Sequence, residues 1–519
     1  MQKFITGFLF LLLFAVKATA QDSIDSRIME LIREEGLKHS KIELFAHHLT
    51  DGSGPRLTNS PGYNKALQWL IAVSKELKFS NPRKEAWGEF GKGWSNEYSS
   101  LNMRKPYFED IIAYPAPWTL GTNKPVRAEV ILIDGLDSAS IDKAGDAIKG
   151  KIVMVKPQMN PLRFPFEPFA KRYGDTSLDQ LPPTYMFNRN EIEQFLPYLK
   201  SEYYSKLYLA KKGAVAFLNS SRGSRDGTVF VQGATSYAKG YDATLPEMQM
   251  SIEASMRIAR LIANNENVTL EMNLNNVFYT DDLTGYNFVA EIPGTDPVLK
   301  NEVVMIGGHL DSWTGGTGAT DNAAGCIVMM EAMRILNSLP EKPKRTIRIA
   351  LWGGEEQGLY GSFGYVKNHF GNPADMKLKP EQQRISAYYN IDNGTGKIRG
   401  IYAQGNEAVV PIFKSWLAPF ADLGANGGVT LSSTGSTDHI SFDAVGIPAF
   451  QFIQDPMEYE TRTHHSNMDT YEHLSIPDLQ QAAIVVAAFV YNSAMRKDLL
   501  PRKPLPKPER FVFDFDFPL

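Results

Sequence analysis

The chain is 519 residues long with a net charge of −4 and both signs mixed, so two domains are the first expectation rather than one hydrophobic core. The charge balance excludes the basic footprint of a nucleic-acid binder and offers no polybasic membrane patch. The single cysteine, Cys326, excludes an intrachain disulfide and reads as a small buried hydrophobe at the start of a helical run.

In chain order, Lys3, the apolar stretch 4–16 and the small residues Ala18-Thr19-Ala20 predict a cleaved secretory signal over 1–20. No later segment approaches the roughly 20 apolar residues of a membrane span. No cysteine stands directly after the signal, where Gln21 follows Ala20, which argues against a lipid anchor. An exported chain without disulfides suits a bacterial envelope, periplasmic or secreted, better than a eukaryotic extracellular space.

Residues 21–106 open with helical spacing at Ile28, Leu31 and Ile32 and again at Ala66, Leu67, Leu70 and Ile71. From 107 to 272 the texture changes to short β-like runs such as 128–132 and 151–155 between polar loops, which predicts an inserted β-rich domain with substrate gating or recognition as its use. From 273 to 498 strands and helices alternate, with apolar runs at 302–306, 346–352, 385–391 and 448–453. That rhythm predicts an α/β fold: a doubly wound, mostly parallel sheet flanked by helices. The tail 499–519 is rich in proline and ends on alternating Phe511, Phe513, Phe515 and Phe517, which reads as a packed terminal arm.

In a parallel sheet the ligand site lies beyond the carboxyl ends of the strands, and the polar motifs stand at those ends. His309 and Asp311 close the first run; on an extended segment they share a face, so Asp311 can accept from one imidazole nitrogen while the other binds a metal. A glycine-rich loop, 314–320, leads into Asp321. It lacks both the dinucleotide and the phosphate-loop patterns, and small residues there let the backbone come close to a metal centre. The two oxygens of Asp321 can bridge two ions.

Glu355 and Glu356 end the run 346–352. Adjacent carboxylates in a partly desolvated place raise each other's pKa or demand a cation, and because successive side chains point apart, one can bind metal while its neighbour acts as general base. Asp392 ends the next run, and His464-His465 supplies a further nitrogen ligand. One bridging Asp, a second Asp, one Glu and two His match a two-zinc hydrolytic site. No serine elbow, H-E-x-x-H or nucleophilic cysteine competes.

The segments GGHLDSW from Gly307, ATDNAAG from Ala319, PKRTIRIALWGGEEQG from Pro343, DNGT from Asp392, STDHISFDAVGIPAF from Ser436 and HHSNMDT from His464, with GPRLTNSPGYNKALQW from Gly54, carry a likeness. In them the chain resembles the M28 family of metallopeptidases, most closely its carboxypeptidase Q-like branch. The resemblance implies that one zinc is held by His309 and Asp392 and a second by Glu356 and His465, with Asp321 bridging and His464 as the fallback ligand. It implies Glu355 as the catalytic base acting on a metal-bridging water, and a substrate-contact role for Asp438 and His439. It makes the middle block similar to a protease-associated domain, and it implies a cis peptide at Asp321-Asn322 and a possible homodimer. The function implied is an exported di-zinc exopeptidase, an aminopeptidase or dipeptidase, acting on peptides and on no nucleic acid. A glutaminyl cyclase-type transferase and a non-catalytic peptide-binding module are the alternatives on the same fold.

Overall fold

The computed structural model describes residues 24–158, 168–174, 177–221, 225–233 and 235–518; the expected signal at 1–20 lies outside them. Helices form where the sequence supplies a start signal. Asp25 accepts from the backbone N–H groups of Arg27 and Ile28 to open Ser26–Lys38, and Ser60 accepts from Tyr63 N ahead of Pro61 to open Pro61–Glu76.

The larger sheet has eight strands in the order Ser80–Glu89, Thr284–Ile292, Thr346–Trp352, Val303–His309, Ile385–Asn390, Ala449–Gln454, Ile398–Tyr402, Gly428–Thr430. The four strands from Thr346–Trp352 to Ala449–Gln454 are mutually parallel, whereas the pairs that join Ser80–Glu89, Thr284–Ile292 and Ile398–Tyr402 to them are antiparallel. The sheet is therefore mixed, and the expected parallel order is confined to its centre. Both faces are buried, so strand residues alternate between two cores. Ile347, Ile349 and Leu351 pack against Ala324–Ser338, Ile476–Met495 and the amino-terminal helices, while Ala350 and Trp352 pack against Tyr365, Val366 and Phe442 from the opposite face.

A second eight-stranded sheet, also mixed, contains Gly93–Lys105, Thr269–Tyr279, Val126–Ile133, Ile152–Val155, Ala216–Ser220 and Glu247–Met250. The last four are parallel to one another and are flanked by helices Arg189–Lys211 and Ile252–Ala263. The expected limits at 106/107 and 272/273 thus fall after the first of its long strands and inside the last. The reason is physical: Ser80–Glu89 and Gly93–Lys105 share one strand texture, and a chain that changes sheets within three residues leaves no compositional mark.

Beyond Met495 the described tail carries no helix or strand. Arg502 donates to the carbonyls of Gly446, Gln382 and Ile385, Phe511 stacks on Phe363 at 4.3 Å, and Phe517 packs on Tyr203 and Tyr241 of the second unit. The arm ties the two sheets together. Among the described residues no helix is long and apolar enough to cross a membrane.

Candidate metal centre

Because the four central strands run the same way, their carboxyl ends meet at one edge of the sheet. His309 is the last residue of Val303–His309; Glu355 and Glu356 follow Thr346–Trp352; Asp392 follows Ile385–Asn390; His464 and His465 follow Ala449–Gln454 by a loop. Asp321 arrives from the turn ahead of Ala324–Ser338, and the Asp321-Asn322 peptide is cis. Asn322 accepts from Gly325 N through its side-chain oxygen and donates to Ile391 O, fixing the start of that helix against the sheet.

The side chains converge on Asp321. Its Oδ1 lies 3.2 Å from His309 Nε2, and its Oδ2 lies 3.1 Å from His465 Nε2. Asp392 Oδ1 is 3.3 Å from the same nitrogen of His309, and Glu356 Oε2 is 2.9 Å from that of His465. His464 Nε2 stands farther off, 3.7 Å from Asp321 Oδ2, with its ring against His465 at 3.8 Å. Glu355 Oε2 is 3.8 Å from His309 Nε2.

This donor set fits metal cations. Four carboxylates, Asp321, Glu355, Glu356 and Asp392, crowd two imidazoles at the foot of a cleft of about 360 Å³, and Asp321 Oδ2 and Glu356 Oε1 are buried without hydrogen-bond donors. Such a cluster is untenable uncompensated, and mixed nitrogen and oxygen ligation suits zinc. Burial pushes the Glu355 carboxyl well above the usual range, against His309 and with Asp392 and Asp438 adding to it. Burial also lifts Glu356 to about 7. Burial opposes charge on His465, but Glu356 and Asp321 outweigh it and push the imidazole up to about 10.

Three expectations change. His309 Nδ1 donates to the backbone carbonyl of Asp311 at 2.9 Å, while the Asp311 carboxylate is 3.7 Å away. The strand ends at His309, so the next residues turn and the alternation of an extended segment no longer holds. The Asp311 carboxylate instead accepts from Thr58 Oγ1 and from the backbone N–H groups of Glu355 and Glu356. Second, Asp438 and His439 do not touch the cleft. They are buried behind its wall, which is built from Thr434 to Thr437. Burial raises Asp438 to about 8 and lowers His439 to about 4, and His439 Nε2 sits 3.0 Å from Thr434 O. Third, the glycine-rich loop packs on protein rather than at the ligands: a Cβ on Gly316 would lie 2.4 Å from Asp469 O.

The supports missed by sequence reasoning are distant in the chain. Asp469 accepts from Thr320 N at 2.6 Å and from Asp321 N at 3.2 Å, so it holds the Asp321 turn. Arg56, fully buried, donates to the carbonyls of Leu310, Thr317 and Gly318 at 2.6 to 2.8 Å. Both lie within segments that carry the family likeness, which was the available signal. Cys326 is buried and donates to His309 O.

With this geometry in place, residues 287–490 match the model of peptidase family M28. The chain carries an M28 peptidase domain. It is 25% identical to human carboxypeptidase Q over 517 residues, covering 96% of this chain and 98% of that protein. It is 32% identical to aminopeptidase YwaD of Bacillus subtilis over 207 residues, 39% of this chain and 43% of that one. Among solved structures, the M28 peptidase precursor of Shewanella amazonensis aligns over 93% of this chain and 98% of its own with a TM-score of 0.66 and 24% identity. The M28 domain spans the strands whose ends carry the clustered side chains, and the metallopeptidase class follows.

Proposed function

We propose that this M28 enzyme is an exported di-zinc exopeptidase that releases the amino-terminal residue of peptides or splits dipeptides. One observation carries the reading: the two oxygens of Asp321 are divided between His309 and His465 at 3.2 and 3.1 Å, so one carboxylate serves two cation positions. His309 and Asp392 would hold one zinc, His465 and Glu356 the other, with Asp321 common to both. When bound, the ions supply Lewis acidity to the scissile carbonyl and make the attacking water acidic near neutral pH.

Glu355 is left over from ligation. Buried and raised in pKa, it suits a proton carrier: it takes the proton of the attacking water and returns it to the leaving amine. The cleft wall adds Glu460, whose carboxylate accepts from the Tyr185 hydroxyl. A carboxylate on the rim suits a free ammonium end and repels a free carboxylate, which favours cleavage at the amino terminus. The relatives' names, a carboxypeptidase and an aminopeptidase, support the exopeptidase class, and the segment 1–20 supports export.

The test pairs activity with metal content. Glu355→Ala should abolish hydrolysis of free-amino dipeptides while leaving two zinc ions per chain; activity retained in that variant rejects Glu355 as the base. One zinc per chain, with cyclisation of glutaminyl peptides, would move the reading to the transferase. A panel of free and N-acetylated dipeptides, with and without chelator, tests which end is recognised.

A further inference from the structure

The second sheet does more than flank the cleft: it supplies a partner to one of the proposed ligands. Between Ala216–Ser220 and Glu247–Met250 of that sheet, residues 229–232 run beside 465–467 of the peptidase unit. Val231 N donates to His465 O at 2.8 Å, Asn467 N to Val229 O at 3.0 Å, and Val229 N to Asn467 Oδ1 at 2.6 Å. Phe230 bridges to Ser466, and its ring lies 5.4 Å from that of His465. His465 has a φ of +55°, a left-handed conformation that non-glycine residues rarely adopt. The hydrogen bonds from 229–231 hold its carbonyl and the residue two further on.

The side chain of the same segment reaches the ring. The Gln232 carboxamide nitrogen lies 3.0 Å from His465 Nδ1, while Nε2 of that ring faces Asp321 and Glu356. A ring whose Nε2 serves a metal carries its proton on Nδ1, so that nitrogen is a donor. A half-turn of the carboxamide exchanges its nitrogen and oxygen in the same place, and the oxygen is the end that can accept.

We infer that Gln232 is a positioning residue for His465: it accepts the Nδ1 proton, fixes the tautomer that leaves Nε2 free for metal, and makes the second sheet part of the metal centre. The inference rests on the proposed ligation by His465. An outer partner of a ligating histidine orients the ring and raises its basicity. Gln232 itself faces the open cleft, where water can replace it in part, so the low end of the usual effect is expected.

The experiment uses the purified full chain and measures zinc dissociation by competition with a chromogenic chelator, alongside kcat and KM. Gln232→Leu removes the acceptor, Gln232→Lys offers only donors, and Gln232→Glu is an acceptor of the same length. Leu and Lys should weaken the zinc held by His465 and Glu356 by ~10-fold and lower kcat more than they raise KM, while Glu should bind zinc as tightly as wild type or more so. Thermal unfolding of the metal-free variants should match wild type. Equal zinc affinity in all variants, or loss in Glu equal to that in Leu, overturns the inference and leaves the peptidase reading standing. A wild-type chain that binds no zinc overturns both.

Discussion

The Asp311 carboxylate accepts from the backbone N–H of Glu355 at 3.2 Å. Its second oxygen accepts from Glu356 N at 3.3 Å, and its own carbonyl takes the proton of His309 Nδ1 at 2.9 Å. One residue thereby ties the end of Val303–His309 to the turn after Thr346–Trp352. The anionic oxygens orient the two amides and, with them, the side chain proposed to carry the proton and its neighbour proposed to bind metal.

Replacing Asp311 with Asn keeps one acceptor and turns an NH2 group toward a backbone N–H, so one of the two amides loses its partner. Outer partners of this kind are worth ~10–100-fold in activity or metal affinity. Asp311→Asn should lower kcat within that range with little change in KM, measured by steady-state kinetics beside elemental analysis. A variant with unchanged kcat sinks the orienting role.

Arg56 is the second strut. Its guanidinium serves carbonyls of Leu49, Leu310, Thr317 and Gly318 in a dry interior, and a buried carbonyl left unpaired costs about 1–3 kcal/mol. Arg56→Met retains bulk but no donor, so a loss of about 3 kcal/mol or more is expected from urea unfolding. A change below about 1 kcal/mol would mean that water or a neighbour takes over these carbonyls.

His309, Glu355, Glu356 and Asp392 were readable because they need only two signals, an apolar run and a polar residue just past its end, whereas Asp321 and His465 stand on loops and were marked only by the glycine-rich segment and the paired histidines. Parallel strands do the rest by bringing those ends to one edge. Where an argument assumed that the strand continued, it failed: Asp311 lies past the last extended residue and turns toward Glu355. Gln232 and His465 are 233 positions apart, and nothing local in either segment announces the other. The sheet boundary was hidden for a related reason. Three residues, 90–92, separate strands of similar texture that belong to different sheets, so only their pairing distinguishes them.

The buried His439 gives the fold a pH dependence. Burial holds its pKa near 4 against an ordinary 6.5, while Thr434 O accepts from it. Between these values the unfolded chain binds a proton that the folded one does not, so stability rises with pH across the window and falls on acidification from about 6.5 to about 4. The full window corresponds to a contribution on the order of 3 kcal/mol. His439→Gln, which keeps an N–H for Thr434, should flatten the slope of unfolding free energy against pH. An unchanged slope assigns the acid sensitivity to other groups.

The tail separates stability from recognition within three residues. Phe511 is buried and stacks on Phe363 at 4.3 Å with the rings nearly parallel, whereas Phe513 lines the cleft with its ring edge toward Phe187. Truncating a buried phenylalanine costs about 3–5 kcal/mol, so Phe511→Ala should lower the unfolding midpoint markedly. Phe513→Ala removes only a half-buried ring from the wall, and a contact of one aromatic side chain with an apolar substrate group is worth about 1–2 kcal/mol. A roughly 5- to 30-fold rise in KM for dipeptides with large apolar side chains is therefore expected, with kcat and thermal stability near wild type. If Phe513→Ala loses stability as Phe511→Ala does, while KM holds, the arm's last turn is a structural clamp and the wall it forms does not read the substrate.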